Sequence, residues 1–126
     1  MKRATGYSMD EQDEKVIDLL TELGMPKNLA KTLIYISQVD ECRSSQIERG
    51  TALLQPQVSV VMQELRRKGW VKKRHIKKRG KGRPVHHYRL SHPLPKILKR
   101  FEEEKVQEVE TIKKNLSELE HMLKAD

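Results

Sequence analysis

The sequence predicts a mainly α-helical domain of the α+β class, with a two-stranded β-hairpin and a long C-terminal helix. Apolar residues from Gln55 to Gly69 recur at the period of a helix, and two strand-like runs then flank the Gly/Pro-rich segment 79–84. Beyond Val109, apolar residues alternate at spacings of three and four, as in a coiled coil. A helix followed directly by a basic hairpin is the arrangement of recognition helix and wing in a winged helix-turn-helix.

The N-terminal part of the chain predicts two helices separated by a glycine. Ser8 and Glu11 have the spacing of a capping box, in which each side chain accepts a hydrogen bond from the other residue's backbone N–H. Gly24 then stops the first helix, and Pro26 opens the second, which ends near Val39. The residues expected to face the core are Val16, Ile17, Leu20 and Leu23 in the first helix and Leu29, Ala30, Leu33, Ile34 and Ile36 in the second.

Residues 40–68 predict a helix-turn-helix. After a turn with room for a short strand at residues 42–43, Ser45 and Glu48 form a capping box for a short helix. A longer helix, the recognition helix, follows at about residues 56–68. The residues expected to be buried are Ile47 and Ala52 in the short helix and Val58, Val61, Met62 and Leu65 in the longer one.

Residues 93–126 predict a continuous helix that is too long to lie wholly on so small a domain, because 30 helical residues span about 45 Å. Its apolar seam favours pairing with a second copy in a twofold dimer, and a lone helix folded back on the domain is the alternative. The expected dimer-interface residues are Leu98, Phe101, Val109, Ile112, Leu116, Leu119 and Leu123. The denser apolar residues at the start of this helix, Leu94, Ile97, Leu98 and Phe101, are also expected to pack on the winged domain.

Basic charge is concentrated in one segment. Residues 66–100 contain fifteen Lys and Arg and no acidic residue, so they carry +15, whereas the rest of the chain carries −7 and the net charge is +8. Such charge on a hairpin and a helix end favours binding to the backbone of double-stranded DNA, since each neutralised phosphate releases counterions. A merely solvated basic surface and an RNA-binding segment are the alternatives.

At 126 residues the chain has room for one domain, which we place at residues 8–92, and for the C-terminal helix at residues 93–126. The single cysteine, Cys42, excludes an intramolecular disulfide and fits a reducing compartment. No apolar run reaches membrane-spanning length, and the N-terminus lacks the apolar core of a signal peptide. We therefore expect a cytoplasmic protein that has no membrane partner.

Two short segments of the sequence resemble those of a known protein family. LRRKGWV at residues 65–71 and GRPVHHYRL at residues 82–90 are similar to the wing region of archaeal TrmB-type regulators, which are related to the MarR and ArsR groups. The resemblance covers residues 10–100 and implies a sequence-specific transcription regulator that binds duplex DNA as a homodimer. Larger TrmB regulators carry a C-terminal sugar-sensing domain that is not expected here, so the resemblance implies no particular effector. The cysteine-rich metal pattern of ArsR sensors is absent from the sequence.

The predicted recognition helix presents polar residues away from its apolar seam. Because helix-turn-helix proteins insert the start of this helix into the major groove, Gln57 can pair with adenine, Ser59 with either base type, and Val60 with a thymine methyl. Residues 44–46, which begin the preceding helix, suit a phosphate, and the basic wing at residues 72–89 suits the DNA backbone or minor groove. The candidate DNA contacts are Ser44, Ser45, Gln46, Gln55, Gln57, Ser59, Val60, Gln63, Arg66, Arg67, Lys72, Arg74, Lys77, Lys78, Arg79, Lys81 and Arg83.

The sequence predicts no catalytic site, no metal site and no cofactor. It contains no phosphate loop, HExxH motif or Ser/His/Asp set, and its charged residues are explained as helix surface. The histidines at positions 75, 86, 87 and 92 have no cysteine or carboxylate at ligand spacing. Besides a DNA-binding regulator, a protein-interaction module of a transcription assembly and an RNA-binding factor are compatible with the same pattern.

Overall fold

The computed structural model describes residues 7–76 and 85–124, and the chain divides into two compact units, with the boundary in the sequence between Leu94 and Pro95. The elements are α1 (Glu11–Glu22), α2 (Lys27–Gln38), β1 (Cys42–Arg43), α3 (Ser44–Thr51), α4 (Gln55–Arg67), β2 (Val71–Ile76), β3 (Val85–Leu90) and α5 (Leu94–Lys124). The predicted fold class, mainly helical with a hairpin and a long C-terminal helix, is therefore confirmed.

Helix α2 is the centre of the first unit and packs against α1, α3, α4 and β3. All five of its residues that were predicted to face the core are buried, and Thr32 and Tyr35 are buried as well. Tyr35 lies so close to Gly50 of α3 that a Cβ atom at position 50 would overlap its ring. The glycine therefore allows α3 to approach α2 closely.

The hairpin belongs to a three-stranded antiparallel sheet in the order β1-β3-β2, so it has one strand more than the predicted two-stranded wing. The short strand β1 pairs Cys42 with Tyr88, and β2 pairs Val71 with Leu90 and Lys73 with Tyr88. Because side chains alternate along a strand, these residues share the inner face of the sheet, and all of them except Lys73 are buried.

The predicted capping box of Ser8 and Glu11 is wrong. Helix α1 begins at Glu11 and is capped by Asp10, whose Oδ1 accepts the Asp13 N–H at 2.9 Å while Asp13 Oδ2 accepts the Asp10 N–H at 3.1 Å. An aspartate accepts the free N–H groups of a helix start as well as a serine does, which explains the shift. Leu23 was predicted to be buried but lies at the C-cap and is 56% exposed.

The second unit is formed by α5, a helix of 31 residues. Ile97 and Phe101 near its start are buried, and Lys105 Nζ lies 5.4 Å from the centroid of the Phe101 ring. The large apolar residues farther along are all exposed: Val106, Val109, Ile112, Leu116, Leu119, Met122 and Leu123. Among the described residues, no helix combines the length and the apolar character that crossing a membrane requires.

Candidate nucleic-acid interface

Helices α3 and α4 form the predicted helix-turn-helix, and a buried threonine holds the turn between them. Thr51 Oγ1 donates a hydrogen bond to the Ile47 carbonyl at 2.7 Å and accepts one from the Leu53 N–H at 3.3 Å. Ala52 between them has the left-handed backbone angle φ 60°, and its side chain is exposed although it was predicted to be buried. A single left-handed residue reverses the chain sharply, so only three residues separate the end of α3 from the start of α4.

Helix α4 is anchored by the four apolar residues that the sequence predicted, Val58, Val61, Met62 and Leu65, which are all buried. The other side of the helix is left on the surface, where Val60 is 66% exposed. Gly69, with φ 77°, ends the helix as predicted and leads into β2. The fold therefore fixes α4 along one stripe and presents two flanks, a polar one toward the wing and a mainly apolar one toward the start of α2.

The wing-side flank of α4 lines a cleft of about 290 Å³. The cleft unites five predicted contact residues with five further residues, as follows: Ser44, Gln55, Ser59, Gln63 and Arg66, together with Val58, Met62, Lys73, His86 and Tyr88. Two lining residues are basic, Arg66 and Lys73, and none of the lining residues is acidic. We call this the basic cleft; its polar walls and positive charge suit a phosphate group or a base edge.

Lys73 and His86 lie within the basic wing at residues 72–89, but they were not named among the candidate DNA contacts. The named residues Lys72 and Arg74 lie on the outer face of the sheet, because strand residues alternate. The register that pairs Lys73 with Tyr88 places Lys73 on the inner face, beside α4. The signal that could have found it is the two-residue period counted from buried Val71.

The other flank of α4 lines an open, mainly apolar recess of about 770 Å³ with Pro26, Asn28 and Leu29 of the α2 start. Gln57 and Val60 lie here, away from the basic cleft. Arg67 also lies here, and its Nε donates to Glu64 Oε2 at 3.1 Å. The hydrogen bond from Arg67 holds the pKa of the Glu64 carboxyl below its usual range. Arg66 and Arg67 are therefore on different flanks.

Two glutamines among the predicted contacts have a structural role at helix starts. Gln46 Oε1 accepts the Arg43 N–H at 2.8 Å, and Gln57 Oε1 accepts the Leu54 N–H at 2.9 Å. Each is the third residue of its helix and reaches back to the cap, as in a capping box.

The capping box predicted for Ser45 and Glu48 is wrong, since α3 starts two residues earlier than that pair requires and Gln46 takes the role of Glu48 instead. Ser45 itself is exposed. The carbonyl oxygens of Gln46 and Gln57 are thus engaged within the protein, and the exposed amide N–H groups of Gln57 remain its means of contacting a base.

At the base of the wing, Arg74 is paired with Glu41. Its Nε and Nη2 donate to the two carboxylate oxygens at 3.0 and 2.7 Å. Since β3 lies between β1 and β2, this bidentate pair spans the central strand. The hydrogen bond from Arg74 lowers the pKa of Glu41. Lys72 on the same face is exposed.

The predicted contacts at the tip of the wing lie outside the described residues. They are Lys77, Lys78, Arg79, Lys81 and Arg83. Their assignment to DNA stays a prediction from the sequence.

Cys42 is not a reactive thiol in this fold. It is completely buried, and its Sγ donates weakly to the Tyr88 carbonyl at 3.8 Å. Burial, together with the smaller effect of the Glu41 charge, raises the pKa of the thiol to about 12. Within the ranges 7–76 and 85–124, no group of His, Cys, Asp and Glu has an arrangement that could hold a metal ion.

No protein-family model matches the sequence, and a comparison with curated proteins found no match. Among solved structures the chain is similar to TrmBL2, an archaeal chromatin protein with a novel mode of DNA binding. The TM-score is 0.57 and the identity 21%, over 88% of this chain and 41% of that chain. It is also similar to a MarR family transcriptional regulator from Silicibacter pomeroyi, with a TM-score of 0.50 and 15% identity over 85% of this chain and 78% of that chain.

The chain thus spans less than half the length of TrmBL2. Residues 65–71 and 82–90 indicated a resemblance to TrmB-type and MarR-type regulators. This resemblance is confirmed at the level of the fold, which is the winged helix-turn-helix.

Proposed function

We propose that this protein is a double-stranded DNA-binding transcription regulator that acts as a homodimer. The observation that carries the proposal is the basic cleft, in which the start of α3, a flank of α4 and the inner face of the wing converge around Arg66 and Lys73. In a winged helix-turn-helix these are the elements that meet the duplex. TrmBL2 and the Silicibacter pomeroyi protein, which share the fold, are a DNA-binding chromatin protein and a transcriptional regulator.

In the proposed complex, α4 enters the major groove and the wing lies on the flanking backbone. Ser59 and Gln63 lie on the exposed side of α4 beside the cleft, so they are placed to contact base edges. Arg66 and Lys73 contact phosphates on either side of the same groove. Residues 8–92 form the DNA-binding domain, and residues 93–126 form the dimerisation helix, whose exposed seam begins at Val109.

The first test is a titration of the protein into a random duplex DNA pool and an RNA pool of equal length, over a range of salt. The proposal expects selection of duplexes with inverted half-sites, bound by two chains. Preference for the RNA pool would favour the RNA-binding alternative. Binding to neither pool at physiological salt would favour a protein-interaction module and reject the regulator.

The basic cleft is tested by Arg66→Ala combined with Lys73→Ala. Each lost phosphate contact reduces the slope of log K against log salt by about one, and the double variant removes two contacts from each of the two chains. We therefore expect the slope for the dimer to be shallower by about four and the affinity to be lower by at least about tenfold for every duplex. The control is Lys15→Ala combined with Lys114→Ala, which removes the same charge from exposed helix positions outside the cleft. Equal slopes for the two double variants would reject the cleft as the phosphate site.

Base reading is tested by substitutions that leave the helix starts intact. Ser59→Ala and Gln63→Ala are expected to change the selected sequence and to leave the salt slope as it is, because base contacts specify and phosphate contacts position. Gln57→Ala would remove both the proposed base contact and the hydrogen bond that caps α4, so the two effects could not be separated. Gln57→Glu retains the Oε1 atom that caps α4 and removes only the amide donor. If Gln57→Glu is as stable as the parent and selects the same sequence, Gln57 is a capping residue alone.

The predicted wing tip is tested in the same assay by Arg79→Ala combined with Arg83→Ala. Their removal is expected to weaken binding to all duplexes and to flatten the salt slope. An unchanged affinity and slope would show that the wing tip does not contact DNA.

A further inference from the structure

The apolar seam of α5 is fully formed but uncovered within one chain. Val109, Ile112, Leu116, Leu119 and Leu123 follow a seven-residue repeat at positions a and d, and their exposed fractions lie between 48% and 72%. An apolar stripe of this kind is stable in water when another helix covers it. A second copy of α5 offers the same stripe over the same length, so the two surfaces match in extent.

Charges beside the seam distinguish the two directions in which such helices can pair. With Val109 at position a, Glu108 and Asn115 occupy the g positions, and Lys113 and Glu120 occupy the e positions. In a parallel pair in register, each g residue faces the partner's e residue five positions later. Glu108 therefore faces the partner's Lys113, twice by symmetry, and Asn115 faces the partner's Glu120.

An antiparallel pair that covers the same seam brings like charges together. Its centre lies at Lys114, where Ile112 packs on the partner's Leu116 and Val109 on the partner's Leu119. Lys113 then lies beside the partner's Lys113, and Glu108 lies beside the partner's Met122, which cannot neutralise it. A shift by one heptad would pair Lys113 with the partner's Glu120 but would leave Val109 uncovered.

The ion pairs within α5 are compatible with the parallel arrangement. Glu108 accepts a hydrogen bond from Lys105 Nζ at 3.1 Å, an exposed pair of the kind that contributes little. Lys113 has no ion-pair partner within the part of the chain that the structure describes. Lys105 occupies the d position before Val109, so repulsion between two lysines makes the coil begin after residue 105.

We infer that α5 pairs with a second copy of itself as a parallel coiled coil in register, from Val109 to Leu123, with Glu108 paired to the partner's Lys113. This inference rests on the proposed homodimer and specifies its geometry. It places the first residues of both α5 helices at the same end of the coil, so both DNA-binding domains are joined to that end. In the antiparallel pair those ends would be about 60 Å apart, well beyond one turn of DNA, which is about 34 Å.

Disulfide trapping without DNA tests the direction of the helices. Leu123→Cys and Lys105→Cys are prepared as separate proteins with tags of different size, then mixed, equilibrated and oxidised. Cys42 is retained, since its buried thiol does not react in the folded protein. The parallel coil predicts disulfides between two Leu123→Cys chains and none between positions 105 and 123. A disulfide between 105 and 123, or a protein that stays monomeric, overturns the inference.

A charge exchange tests the register by sedimentation equilibrium. Glu108→Lys and Lys113→Glu are each expected to weaken dimerisation about tenfold, because two attractive pairs become repulsive, and the double variant is expected to restore it to within about twofold. The controls, Glu110→Lys and Lys114→Glu, make the same charge changes at positions that face away from the seam. A double variant as weak as the two single effects combined overturns the pairing. Dimers that trap at position 123 but bind no DNA would reject the proposed function and keep this inference.

Discussion

Helix α2 and the second half of α5 have apolar residues at helical spacing, yet one is the most buried element of the protein and the other is exposed. In α2, seven consecutive or near-consecutive residues from Leu29 to Ile36 are buried because other elements lie on several sides of the helix. In α5, the apolar residues from Val106 to Leu123 are exposed. The same periodicity therefore stabilises the fold in α2 and, in the dimer that we propose, an association between chains in α5.

The largest expected effect comes from placing charge in the α5 seam. Leu116→Asp combined with Leu119→Asp removes two leucines from each side of the proposed interface, and each is worth about 2 kcal/mol when buried. We expect dimerisation to weaken by at least about a thousandfold, measured by sedimentation equilibrium. The fluorescence of Trp70, the single tryptophan and a buried residue of the first unit, is expected to report unchanged folding of that unit.

The matched control is Thr111→Asp combined with Ser117→Asp, which adds two carboxylates to the outer face of α5. This variant should remain dimeric. If the seam variant also remained dimeric, or if it unfolded the environment of Trp70, the separation of folding from association would be wrong.

The second prediction concerns packing within the chain. Gly50→Ala places a Cβ atom into the ring of Tyr35, which is completely buried, so either the ring or α3 must move. We expect the free energy of unfolding to fall by about 1–3 kcal/mol in urea titrations, with dimerisation unaffected. Gly69→Ala separates crowding from backbone strain, because position 69 has open space around it but a φ of +77°. It is expected to cost about 1 kcal/mol, and a Gly50→Ala variant no less stable than the parent would show that Tyr35 repacks freely.

The sequence was sufficient to predict the helices of the first unit because their apolar period and their Pro and Gly boundaries are local signals. It was not sufficient to predict the burial and capping of residues that depend on which other part of the chain packs against them. Leu23 continues the apolar stripe of α1, yet it is 56% exposed among the residues that the structure describes. Asp10 caps that helix, although Ser8 and Glu11 have the spacing of a capping box. Several residue types can cap a helix, so a short sequence pattern does not decide between two nearby positions at which the helix could begin.

The candidate site was also predicted only in part, because the position of some of its residues depends on which other element packs against them. Ser44, Gln55, Ser59, Gln63 and Arg66 were identified from their place on two helices, and the fold brings them to one cleft. Lys73 was missed because Trp70 and Val71 are both apolar, so the period of two can be counted from either residue, and only the count from Val71 places Lys73 on the inner face of the sheet. The register with β3 decides it. The role of Gln57 as a cap was missed because an amide suits both a helix start and a base edge.

The smallest predicted effect is that of the ion pair at the base of the wing. The pKa of Glu41 is lowered in the folded protein by the hydrogen bond from Arg74, so folding favours its ionised form. The pair therefore contributes stability above the ordinary glutamate pKa of 4.5, and this contribution is lost as the pH falls through the lowered value. Glu41→Gln should be slightly less stable than the parent at pH 7, and the two should converge on acidification below pH 4.5. Urea titrations across this range measure the difference. Because both side chains are partly solvated, added salt should also reduce the difference in the free energy of unfolding at pH 7. If this difference persisted in acid, Glu41 would act through packing and not through its charge.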